Sequence, residues 1–432
     1  MTAEVAILNK LGIALAADSA VTISEGTNNR KVFNTADKLF ELSQAQPIAC
    51  MVFSNLQFMQ APLQVLIKEF RRTKYPTGTV EQAASALLKH LTRYAKDSDE
   101  QIKRGIAYGS ALEFYRVILG RANHLLERRL ADPTWLLEAT KKKPFLEIIS
   151  ELWEVAVSAL ERVTEQWPDA EFVGDFPAND WLNGIIHQVL TDAEQSPPDD
   201  RLDDVTSLII KMMRKATPLE SSTGVVVAGY GEKELFPTLV HYDVFSPLAG
   251  ALKFRKIEVV DIARNGPRAR VMAFAQREMA ERFLFGLDVQ IKDKIVRFCR
   301  QAVSAIGDLA QSLVTFGNDA ESEAFRNSLK TAEDSFASDL ETLGMDTIRN
   351  ESQRAVEDMV EFMPKQDLAE FAEALVNLSS VQRRVHLGFE TVGGPIDVAV
   401  ISKSEGLVWV KRKHYFPHEL NTRFFNRIAE AK

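Results

Sequence analysis

The chain opens Met1-Thr2-Ala3-Glu4-Val5-Ala6-Ile7-Leu8-Asn9-Lys10-Leu11-Gly12-Ile13-Ala14-Leu15-Ala16-Ala17-Asp18-Ser19-Ala20-Val21-Thr22. Ala3 to Leu8 and Gly12 to Ala17 are short apolar runs joined by the polar Asn9-Lys10 turn, the pattern of a strand hairpin. Removal of Met1 would leave Thr2 as the first residue. A terminal threonine carries a hydroxyl nucleophile and a free amine on one residue, a minimal nucleophile-and-base pair. The start of the chain is therefore the candidate catalytic centre.

Working outward, Lys38-Leu39-Phe40-Glu41-Leu42 and Ile48-Ala49-Cys50-Met51-Val52-Phe53 predict a second hairpin. Pro62 to Phe70 has the apolar spacing of an amphipathic helix. Residues 80 to 216 read as almost wholly helical, with a break at Pro197-Pro198, and form a helical block between strand-rich parts. Strands return at Gly224 to Gly231, Leu235 to Phe245 and Ala251 to Asp261. A second helical stretch covers about 273–377. Strands close the chain over about 395–412, and a short helix is expected from Asn421 to Ala429. The expected organisation is a first core segment at 1–79, a helical insertion at 80–219, and the rest of the core at 220–432. One strand-rich core with helices packed outside accounts for that order, an α+β class.

The chain has 432 residues, 46% of them hydrophobic and 26% charged, which gives ample length for a large core. The net charge of −8 and the absence of a long basic run argue against a nucleic-acid partner. Lys141-Lys142-Lys143 and Lys411-Arg412-Lys413 read as solvated surface. The two cysteines, Cys50 and Cys299, exclude a disulfide framework and suit a reducing cytoplasm. Cys50, in an apolar strand, reads as core. His414 and His418 are the one close histidine pair, and Pro417 between them argues against a ligand face, so no metal and no cofactor are expected. Gly229-x-Gly231 lacks the third glycine and following helix of a nucleotide loop. The N-terminus lacks the basic and long apolar regions of a signal peptide. No run approaches the about 20 apolar residues that span a bilayer. A soluble, cytoplasmic protein with no membrane partner is the expectation.

Residues 2 to 22 resemble the opening of proteasome-type β subunits, threonine peptidases of the N-terminal-nucleophile (Ntn) hydrolase superfamily. Thr2 at the start of the hairpin, Asp18 after its second strand and the pair Val21-Thr22 fall in the family's register without a gap. Lys38 in Lys38-Leu39-Phe40 looks like the family's lysine at the start of its third strand. Val225 to Tyr230 with His241-Tyr242-Asp243 is similar to its central strand pair. Gly393-Gly394-Pro395 to Ile401 is similar to its Gly-Gly-to-strand segment. The resemblance covers about half of the chain, and 80–216 and much of 290–380 have no counterpart in it. It implies a four-layer αββα sandwich with added helical insertions.

The resemblance also implies roles. Thr2 is the nucleophile and its α-amine the base. Lys38 favours the neutral amine, and Asp18 holds the lysine. A backbone N–H near Val52 stabilises the oxyanion, and Phe53, Ser19 and Thr22 line the site. An α-amine has an ordinary pKa of about 7.7–8.0, so near neutrality it is partly free to accept the hydroxyl proton. Departures are also visible. The family's Gly-Ser-Gly is replaced by Ala273-Phe274-Ala275-Gln276. Glu390 and Thr391 stand nearest to its Asp and Ser before Gly-Gly, Ala20 occupies a position often held by Arg, and Val52 one held by Gly. The expected function is a threonine hydrolase that cleaves peptide or other amide bonds after loss of Met1, with a peptide or protein as substrate and a homo-oligomer as its assembly. A catalytically inactive Ntn-fold scaffold and a non-peptide amidase are the alternatives.

Overall fold

Strands formed by continuous apolar runs, rather than alternating ones, open the molecule. In the computed structural model all seven positions of β1 (Ala3–Asn9) and all six of β2 (Gly12–Ala17) are buried. Burial on both faces is what an uninterrupted apolar strand requires. The structure describes residues 3–25, 29–131, 135, 140–263, 266–387, 393–414, 416–417, 419–423 and 425–426.

In chain order there follow β3 (Val21–Glu25), β4 (Asn29–Phe33), β5 (Leu39–Glu41), β6 (Ile48–Ser54), β7 (Gln57–Phe58) and β8 (Ala61–Pro62). The helices α1 (Leu63–Phe70), α2 (Val80–Asp97), α3 (Glu100–Leu130) and α4 (Phe145–Gln166) come next, then β9 (Glu171–Val173), α5 (Asn179–Asp192) and α6 (Leu202–Met213). Strands β10 (Thr223–Gly229), β11 (Thr238–Val244), β12 (Leu252–Asp261) and β13 (Ala269–Ala275) lead to α7 (Glu278–Phe285), α8 (Val289–Leu313), α9 (Asp319–Asp339), α10 (Asp346–Glu361) and α11 (Lys365–Leu387). The chain then forms β14 (Asp397–Ser402) and β15 (Gly406–Lys411). The class is α+β, and every recorded strand pairing is antiparallel.

Two compact units divide the chain. The first comprises 1–39, 235–237 and 261–432, and the second 40–234 and 238–260. The first unit holds a five-stranded sheet in the order β13-β1-β2-β14-β15. On one face, Ala3, Val5, Ile7, Ala14 and Ala16 pack against Val360 of α10 and Leu368, Ala372 and Val376 of α11. Asn9 ties the hairpin to that helical layer. Its Nδ2 donates to the carbonyls of Val360 and Met363, both at 2.9 Å, and its Oδ1 accepts from Leu11 N–H at 2.9 Å. The asparagine thus ties the end of α10 and the turn after it to the hairpin.

The second unit holds a six-stranded sheet, β5-β6-β10-β11-β12-β9. Leu66, Ile67 and Phe70 of α1 and Ala84, Leu87 and Leu91 of α2 pack on Cys50, Val52, Val225 and Val227 of this sheet. A separate core joins α3, α4, α5 and α6 through Phe114, Tyr115, Trp153, Ile186 and Ile209. The helical block expected at 80–219 lies wholly within this unit. It contains one strand that periodicity did not signal. β9 pairs with the start of β12, Leu252 opposite Val173, and three residues are too few to show a period of two. Likewise Ala273 to Ala275, read as the start of a helical stretch, complete β13 instead, and the helices begin at Glu278.

Candidate active site

Lys38 has no exposed surface. A lysine is almost never fully buried unless paired, and here the pairing involves two carboxylates. Its Nζ bonds to Asp18 Oδ1 and lies 3.5 Å from Glu4 Oε1, with all three side chains fully enclosed. Asp18 follows β2 and Lys38 precedes β5. The backbone brings them together: Ala36 N–H donates to the Ser19 carbonyl at 3.0 Å, fixing the approach to Lys38 beside the end of the hairpin.

Asp18 does more than hold the lysine. Its Oδ1 also accepts from the Ala3 backbone N–H at 3.2 Å, and its Oδ2 accepts from Gly393 N–H at 3.1 Å. Asp18 N–H in turn donates to the Ala3 carbonyl at 3.1 Å. One carboxylate therefore joins the lysine, the first described residue of the chain and a segment 375 positions away. Ser19 is fully buried; its Oγ donates to the Pro395 carbonyl at 2.5 Å and its N–H to the Gly393 carbonyl at 3.3 Å. The Gly-Gly pair thus acts through its backbone. Gly394 has φ +75°, and a Cβ there would meet the Asn34 carbonyl oxygen at 2.7 Å, so a side chain is excluded both by conformation and by space.

The structure brings Asp18, Lys38 and Ser19 together. Thr2, Glu390 and Thr391 lie outside the described residues, and Thr22 is placed only by its backbone, in β3 opposite Val32. Val52 and Phe53 belong to β6 of the second unit. Val52 is paired with Val225, its side chain buried in that unit's core. The Phe53 ring lies over Gly224, where a Cβ would come within 2.0 Å of it, and 5.6 Å from the His241 ring. Ser54 next to it has φ 70°.

Glu4 is the site residue that sequence reading passed over. The available signal was an acidic residue inside an otherwise apolar strand, since a buried charge must be paired. The stretch in place of Gly-Ser-Gly also reaches the chain start. Ala275 is the partner of Ala3 in the ladder and has φ 58°, a left-handed backbone that costs a non-glycine residue about 1–3 kcal/mol. Gln276, buried, follows it.

Other chemistry-bearing residues stand apart. Burial pushes the Cys50 thiol up to about 12, so it remains protonated and unreactive near neutrality. His414 packs beside Phe416 and Phe425, and His418 lies outside the described residues. Among the described residues no group of three His, Cys, Asp or Glu side chains could hold a metal ion, and no helix is long and apolar enough to cross a membrane.

No protein-family model and no curated protein matches the chain. Among solved structures, a mutant of Anbu from Hyphomicrobium sp. strain MC1 is similar at 10% identity and a TM-score of 0.28, with 100% of this chain and 96% of that chain covered. That likeness is distant and identifies no family.

Proposed function

We propose that the chain is an N-terminal threonine hydrolase of the Ntn type, acting on peptide or other amide bonds once Met1 is removed. The single observation that carries this reading is the enclosed Lys38–Asp18 pair, whose carboxylate also binds the backbone N–H of Ala3, the residue after Thr2.

The Thr2 Oγ attacks the substrate carbonyl while its proton passes to the α-amine, and the carbonyl π electrons move onto oxygen. Collapse of that oxyanion breaks the C–N bond, and the leaving nitrogen takes the proton from the α-ammonium. Water, deprotonated by the same amine, then cleaves the threonyl ester and restores the hydroxyl. Lys38 lowers the proton affinity of the amine, and Asp18 holds Lys38 in place. The test is intact mass combined with turnover. The chain lacking Met1 should hydrolyse a panel of peptide amides, and Thr2→Ala should lose that turnover while remaining folded. Retention of Met1 with no turnover would overturn the proposal and leave the non-catalytic scaffold, and undiminished turnover in Thr2→Ala would overturn it by moving the activity to another nucleophile.

A further inference from the structure

We propose that Glu4 is a positioning residue for the N-terminal amine, raising its proton affinity and holding the ammonium that forms during the reaction. This rests on the reading of Thr2 as nucleophile. Glu4 is fully enclosed in the middle of a sheet, between Ala17 of β2 and Phe274 of β13, with Oε1 3.5 Å from Lys38 Nζ. Only Ala3 stands between Glu4 and Thr2 in the sequence, so the amine of a chain lacking Met1 is carried two positions from the Glu4 carboxylate. β1 is extended from Ala3 onward, and the Ala3 N–H is already anchored on the Asp18 carboxylate.

Among the described residues, the Lys38 ammonium lies against Glu4, and Asp18 is bound to that same ammonium. Farther along the same segment Asp37 lies 3.7 Å from Lys413, which also binds Asp397. With all three ionised, Glu4, Asp18 and Lys38 sum to −1. A site holding Lys38 and Asp18 alone would sum to zero and leave the amine facing the lysine without compensation. A neutral amine so depressed would be available as a base but a weak one, and proton transfer favours a base whose pKa lies near the working pH. Glu4 offsets the lysine. As the hydroxyl proton reaches the amine, the new positive charge forms beside a carboxylate already in place, in a low-dielectric interior where such a charge matters most.

The test measures the amine directly. The mature chain is labelled with trace acetic anhydride across pH 5–10, and the acetylated N-terminal peptide is quantified by mass spectrometry, which yields the pKa of the Thr2 α-amine without turnover. Wild-type protein should titrate close to the ordinary value of about 7.7–8.0, the lowering by Lys38 being offset by Glu4. Glu4→Gln, checked for native circular dichroism, should titrate about one unit lower. The acidic limb of its kcat/KM profile should move by the same amount, with kcat reduced about tenfold. An amine already well below its ordinary value in wild type, which needs no variant to fold, would overturn the proposal, as would an unmoved amine in Glu4→Gln. If the amine shifts but no amide is cleaved, the hydrolase reading fails and the role of Glu4 at the amine stands. If Thr2 is essential and the amine does not respond to Glu4, only this inference fails. Retained Met1 overturns both.

Discussion

Among the described residues two lysines are completely buried, one in each unit, and they differ in what surrounds them. Lys253 of β12 is bound to a single carboxylate, Glu220, and lies 5.2 Å from the Phe245 ring. That pair is buried in the second unit, where the Glu113 carboxylate and the Ser110 hydroxyl also act on Glu220. Lys38 faces two carboxylates, and one of them is shared with backbone N–H groups from Ala3 and Gly393. In the proposed function the Lys38 cluster serves the chain start, whereas the Lys253–Glu220 pair is assigned no role.

The sharpest way to break this comparison is to remove each lysine's charge and measure turnover. Lys38→Met should lower kcat by about 10²–10⁴, the usual contribution of proton-transfer machinery. The double substitution Lys253→Met/Glu220→Leu should leave kcat within about twofold, because neither residue belongs to the proposed catalytic cluster. Equal losses in steady-state assays of both would erase the distinction between the two sites.

The next effect is on stability. Glu220→Leu alone should cost about 3–5 kcal/mol in urea unfolding, since it strands a buried ammonium, whereas the double substitution should be neutral or more stable. The pH dependence follows from the two shifts. Burial holds Glu220 above the usual carboxylate range and Lys253 below the usual ammonium range. The Glu220 contribution is fully present below its unfolded value of about 4.3 and is lost as pH rises through the raised folded value. The Lys253 contribution is present above about 10.4 and is lost as pH falls through the lowered one. Unfolding of wild type and double variant across pH 4–10 should show the wild type relatively weakest in mid-range. A flat difference would mean that the pair's attraction cancels its desolvation.

The smallest effect tests whether the second unit's interior is sealed, as the reading of Lys253 requires. Native protein treated with iodoacetamide should take one label, at the half-buried Cys299, and a second at Cys50 only after unfolding, read by peptide mass. Native labelling of Cys50 would show that water and reagent reach the core of β6.

Much of this was legible in the chain itself. The apolar runs of β1 and β2 declared a hairpin because strands buried on both faces have no polar alternation to obscure them. The hairpin at 38–53 and the central strands were legible for the same reason. β9 was not, nor the end of β13, because short strands are fixed by the partner they join rather than by their own pattern. Glu4 was hidden by its company: in a run of apolar residues it reads as a blemish until the lysine opposite it is seen. The asymmetry of Gly393 and Gly394 was also invisible, one supplying an N–H to Asp18 and the other a left-handed turn against Asn34.

The sequence by itself determined the local units: the hairpin at the start, the residue types Thr2, Asp18 and Lys38 at their spacings, and the alternation of strand and helix. These follow from periodicity and propensity, which act over a few residues. Only the tertiary structure decided that residues 4, 18, 38 and 393 converge on one enclosed cluster. That convergence depends on ladder register and loop closure between distant segments, and the free energy that fixes them comes from burying the whole sheet.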